Sequence, residues 1–178
     1  MSDAHSQSTY QVRLGWGTRG LSLLAQADII VIVDGLDSGI GCSSVLAEQA
    51  AALPHQPTVF IGCLRNATTT AQAVYDEQLA RGGRTSINLI LIGDEGHFAV
   101  EDYLVAGAIG DALTARGIDH TAPDLAVAAE GFRSLKNASK HLFLASASGL
   151  TFKAEGRGDF VRHSAEHDAE QKPLPHAN

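Results

Sequence analysis

The chain has little cysteine, a deficit of basic charge and no long apolar run, and each shortage removes a class of function. Its two cysteines, Cys42 and Cys63, lie far apart and lack the close spacing of a zinc knuckle. Buried thiols are the expected state, and a disulfide does not suit the reducing compartment argued for below. Lys and Arg number 13 against 20 acids, a net charge of -7, and the basic residues are scattered. A nucleic-acid surface needs them clustered, so no nucleic-acid partner is expected. No apolar run approaches the roughly 20 residues of a membrane helix. The opening MSDAHSQSTY shows no basic-then-apolar leader. A cytoplasmic protein without a membrane partner is the expectation.

What remains is ordinary for a globular chain: 178 residues, 44% hydrophobic and 19% charged. That length suits one domain with a real core. Three short runs rich in Val and Ile read as buried parallel strands: 28–34 (DIIVIVD), 58–62 (TVFIG) and 87–93 (INLILIG). Helix-like stretches separate and follow them at 43–53, 66–81, 100–116, 124–134 and 135–147. Two of these end at glycines, Gly82-Gly83 and Gly117. Alternation of strands and helices predicts a three-layer α/β fold, a mostly parallel central sheet with helices on both faces. The expected organisation is a flexible N-terminus over 1–9, a single α/β domain over 10–155 and a polar, loosely held tail over 156–178.

Ligands of such sheets bind beyond the carboxyl ends of the strands. Three loops lie there. In the first, VDGLDSGIGCSS, Asp34 stands at a strand tip where a carboxylate can meet a cation, Asp37 follows, Gly39 and Gly41 allow close backbone approach, and Ser43 or Ser44 can start a helix or face an anion. In the second, IGCLRNATTT, Arg65 offers a fork of donors to a phosphate or sulfonate, with Asn66 and Thr68 beside it as a cap and a hydroxyl. In the third, GDEGHFAVED, Asp94 and Glu95 precede Glu101 and Asp102. The last two suit a helix dipole. Four acids so close raise one another's pKa unless a cation lies between them, and hard oxygen donors without thiolates suit Mg²⁺. His97 is a candidate acid or base in this loop, and His163, His167 and Asp168 are tail residues that could reach over it.

Taken together, QVRLGWG, VIVD, GCLRNA and above all GHFAVEDYLVAGAI resemble the 2-phosphosulpholactate phosphatase family, as do DLAVAAEGFRSL and KHLFLASASGLTF further on. The resemblance implies a Mg²⁺-dependent phosphatase acting on a small phosphorylated or sulfonated acid. It implies metal ligands at Asp34, Glu101 and Asp102, catalytic roles for Asp34, Glu101 and Arg65, and substrate contacts from Arg65, Asn66, Thr68 and Ser43. The family is longer between its first helix and second strand, so the alternative is a shortened, non-catalytic relative that binds a small anion or a partner subunit. A homo-oligomer packed through the small residues 106–108 is also open. The spacing Asp34-x-x-Asp37 differs from the Asp-x-Asp of haloacid-dehalogenase enzymes and ranks that reading below the first.

Overall fold

The computed structural model describes residues 4–36, 42–94, 97–170 and 174–175. Four parallel strands form the sheet: β1 (Val12–Trp16), β2 (Ile29–Val33), β3 (Thr58–Gly62) and β4 (Ile87–Leu91). Their order is β1-β4-β2-β3, and a two-residue β5 (Leu174–Pro175) pairs antiparallel with β3 at the far edge. In register, Ile29 of β2 faces both Ile87 of β4 and Thr58 of β3. The central strands IIVIV and INLIL are buried throughout, which is why they read as unbroken apolar runs.

Alternation along the strands feeds two cores. Ile30, Ile32, Val59 and Ile90 pack with Leu24, which follows α1 (Gly17–Leu23), and with Leu46, Ala47 and Ala50 of α2 (Cys42–Ala51). The opposite set, Ile29, Val31, Ile87 and Leu89 among them, packs against α3 (Ala67–Ala80), α4 (Val100–Thr114) and α5 (Pro123–Leu135). The result is the three-layer α/β architecture expected from the sequence. α4 is buried on nearly all sides because α5 covers it from outside. Gly107 permits that cover: a Cβ there would stand 2.1 Å from the Ala128 carbonyl.

Four elements escaped the sequence reading. β1 carries Arg13 in its middle, and a charged residue breaks the apolar run. Arg13 is 5% exposed, and its guanidinium donates to the carbonyls of Tyr10, Ala25 and Gln26 and to Asn88. Short α1 follows it. The expected 135–147 helix is a 3-10 turn followed by α6 (Ser139–Ala145), and it ends at Ser146, whose hydroxyl caps α7 (Ala147–Ala154). The polar stretch from residue 156, expected as a loose tail, forms α8 (Gly158–Ser164), with Val161 and Ala165 buried in the core. Beyond it, the Asp168 and Glu170 N–H groups donate to the carbonyls of Leu64 and Arg65. Among the described residues no helix is long and apolar enough to cross a membrane.

Candidate active site

β2 and β4 are neighbours, so the chain leaves their carboxyl ends side by side, at Asp34-Gly35 and at Gly93. The first turn of α4 lies against both. A Cβ on Gly35 would stand 2.9 Å from the carbonyl carbon and from Cβ of Glu101, so only glycine admits this approach. Asp102 then joins the two loops. Its Oδ1 accepts from the Gly35 N–H and its Oδ2 from the Gly93 N–H, each at 2.7 Å. Gly93 holds φ +75, a left-handed backbone that suits glycine. Burial pushes the Asp102 carboxyl up to about 8, the nearby charges of Asp34 and Glu101 add to the rise, and the two N–H donors oppose it.

The other two acids of the rim are also out of water. Asp34 is 8% exposed, and its Oδ1 accepts from the Leu36 N–H at 3.0 Å. Glu101 is 2% exposed, and its Oε2 has no hydrogen-bond partner among the described residues. Glu101 borders a cavity of about 150 Å³ shared with Asp94, Ser146 and Ser148. Asp34 borders a separate one of about 190 Å³ together with Arg65, Cys63, His163 and Glu170. Burial raises the pKa of the Cys63 thiol, which keeps it protonated and makes it a poor nucleophile.

Arg65 and Asp34 therefore line one cavity, but the Arg65 fork is already engaged. Nε donates to Glu170 at 2.9 Å, and Nη1 donates to Glu166 at 2.8 Å and to the His163 carbonyl at 3.0 Å. Partial burial works against its charge, yet the hydrogen bonds it donates to Glu170 and Glu166 outweigh this and raise its pKa. Only Nη2 donates to nothing among the described residues. Thr68 is taken as well: its N–H and its hydroxyl both donate to the Asp168 carboxylate, at 2.8 and 2.6 Å. That carboxylate sits where an incoming anion would meet the start of α3.

Asn66 is corrected outright as a substrate contact. It is fully buried; its Oδ1 accepts from the Cys63 N–H and the Thr70 hydroxyl, and its Nδ2 donates to the Ile61 carbonyl. It shapes the turn, and its full burial keeps it from a ligand in the cavity. Ser43 is buried at the start of α2, its hydroxyl has no partner among the described residues, and nothing described joins it to Arg65. Asp37, Gly39, Gly41 and Glu95 lie outside the described residues. His97 is exposed and pairs through its backbone with Asp94. Of the tail residues named from the sequence, His163 lines the Asp34 cavity, and Glu170, which the sequence did not single out, lines it too.

Asp34 and Arg65 thus line one cavity beyond the carboxyl ends of the strands, where ligands of open α/β sheets bind. A closer assignment follows from comparison with known families. The chain belongs to the 2-phosphosulpholactate phosphatase family, a family of phosphatases, whose model matches residues 44–171. The match takes in Arg65, the whole of α4 and the gripping tail, and it begins after Asp34 and Ser43. No curated protein matches the chain in sequence.

The residues present fit a hard divalent cation in chemistry. Glu101 carries a buried carboxylate oxygen with no donor among the described residues, and the charge of Asp34 adds to the cost of ionising buried Asp102, which a cation would offset. Among the described residues no three acid, histidine or cysteine side chains converge into a metal cluster. Asp102 differs from the other two in that each of its oxygens accepts a backbone N–H group, which fastens the loops after β2 and β4 to the start of α4.

Proposed function

We propose that this protein is a Mg²⁺-dependent phosphomonoesterase acting on a small phosphorylated or sulfonated acid of the 2-phosphosulpholactate type. The observation that carries the reading is the shared cavity of Asp34 and Arg65, set directly beside the buried acids of α4. At about 190 Å³ it is smaller than the roughly 300–1,000 Å³ sites of drug-sized ligands, and it suits a compact substrate. Asp34 and Glu101 would hold the cation, which when bound polarises phosphoryl oxygens and offsets negative charge. Asp102 keeps both loops at the distance this arrangement needs. Arg65, with Nη2 uncommitted, orients the anion, and Asp34 is the residue placed to act on the phosphoryl group.

The second reading, a relative that binds an anion or a partner subunit without turnover, is favoured by one observation: Glu166, Asp168 and Glu170 already occupy the polar groups of the Arg65 loop. Hydrolysis of p-nitrophenyl phosphate with Mg²⁺ and with chelator separates the two. Turnover that chelation abolishes, and that Asp34→Asn abolishes with an unchanged circular dichroism spectrum, is the expected result. An Asp34→Asn variant as fast as the parent would overturn the role given to Asp34, and a wild-type protein inert toward every small phosphomonoester tried would favour the non-catalytic reading.

A further inference from the structure

Among the described residues a second cavity is larger than the one that holds Asp34. It measures about 560 Å³ and opens at the other end of the rim, beyond β1 and β4. Trp16, Leu23, Leu24 and Phe98 wall it, and Arg19 and His97 supply polar groups. Phe98 is 62% exposed and Leu23 38%, so two large apolar side chains stand in water at this opening. The ring of Trp16 packs against Phe98, with centroids 5.4 Å apart, and against Tyr103.

Arg19 is the informative residue. Arg65, Arg81, Arg133, Arg157 and Arg162 are each held by a carboxylate. Arg19 is exposed, and its side chain enters no hydrogen bond or ion pair among the described residues. In a chain of net charge -7, none of the described residues lining this cavity is acidic. A lone guanidinium over an apolar, aromatic wall complements a group that is anionic at one end and apolar at the other.

We propose that this cavity is a second ligand site, distinct from the Asp34 cavity, for a small organic monoanion with an aromatic or branched apolar body. The anionic group pairs with Arg19 and the body packs against the apolar wall that Trp16, Leu23 and Phe98 form. Gly93, which lines this cavity and also donates to Asp102, makes the two sites neighbours on one rim.

Trp16 is the chain's one tryptophan, so its fluorescence reports on this cavity directly. The test titrates the full-length protein with benzenesulfonate, with benzyl alcohol as the uncharged ring and inorganic sulfate as the charge without a ring. Saturable change with benzenesulfonate is expected, with both controls weaker by about tenfold or more. Arg19→Gln should weaken benzenesulfonate by about tenfold and bring it to the level of benzyl alcohol, while Arg19→Lys recovers part of the loss. Absence of saturable binding, equal binding by Arg19→Gln and wild type, or equal binding of benzyl alcohol and benzenesulfonate would each overturn the proposal.

Discussion

Two loops on the same rim of the sheet concentrate charge, and the fold treats them in opposite ways. At the loop after β3, every charge meets its opposite: Arg65 is held by Glu166 and Glu170, and the start of α3 by Asp168. At the loops after β2 and β4, acid meets acid. Asp34, Glu101 and Asp102 are all buried, no basic side chain pairs with Glu101 or Asp102 among the described residues, and a Glu101 oxygen has no partner. The first loop is a folding device, complete in itself. Buried polar groups are almost always satisfied, so the Glu101 oxygen that lacks a partner among the described residues marks a place where something from outside can bind. On the function proposed above, the contrast assigns the chemistry to Asp34 and Glu101 and a supporting part to Arg65.

The comparison can be broken first through activity. Asp34→Asn should lower kcat/KM for a phosphomonoester by about 10²–10⁴-fold, whereas Arg65→Met should cost about tenfold. Equal losses would erase the distinction between the two loops. Next in size is Gly35→Ala, which forces a Cβ into Glu101 and should cost about 2 kcal/mol in urea unfolding, with a parallel loss of activity.

The acid cluster also predicts a pH dependence. The folded Asp102 carboxyl lies at about 8, above an unfolded value near 3.9, so the folded state holds the extra proton. Its contribution is present in full below about pH 4 and is lost as pH rises through about 8, with a slope of up to about 1.4 kcal/mol per pH unit. Denaturant titrations of the metal-free protein across this range should show that decline, and Asp102→Asn should lack it. On the satisfied side the effects are smaller. Asp168→Ala removes the carboxylate that binds the Thr68 N–H and hydroxyl and should cost about 1 kcal/mol. Glu170→Gln, on a half-exposed ion pair, should cost less than about 1 kcal/mol.

The sheet was legible wherever burial on both faces left an unmixed apolar run, as in β2, β3 and β4. β1 was hidden because its two faces differ in kind: Val12 and Leu14 enter the core, while Arg13 goes into a nest of backbone carbonyls that no composition rule anticipates. The tail was hidden for a related reason. Its polarity is real, but Val161 and Ala165 anchor it, and its acids are consumed by Arg65 and Thr68. Within the site, the strand-tip placement of Asp34 and the neighbouring acids of α4 could be read directly. The division of labour could not. Asp102 and Glu101 look alike as first-turn acids, and only the pairing of β2 with β4 brings Gly35 and Gly93 together for one of them to clamp. Asn66 looked like a ligand group and is a turn residue for the same reason, since its partners, Cys63 and Thr70, bracket it in the chain.

The most direct test of the contrast between the loops is the binding of Mg²⁺ itself, measured by calorimetry on the wild-type protein and on Glu101→Gln and Arg65→Met. Stoichiometric binding that Glu101→Gln weakens by about 10–100-fold, and that Arg65→Met leaves within about twofold, is the predicted result. Binding that survives Glu101→Gln unchanged would contradict the assignment of the acid rim as the place where the missing positive charge belongs.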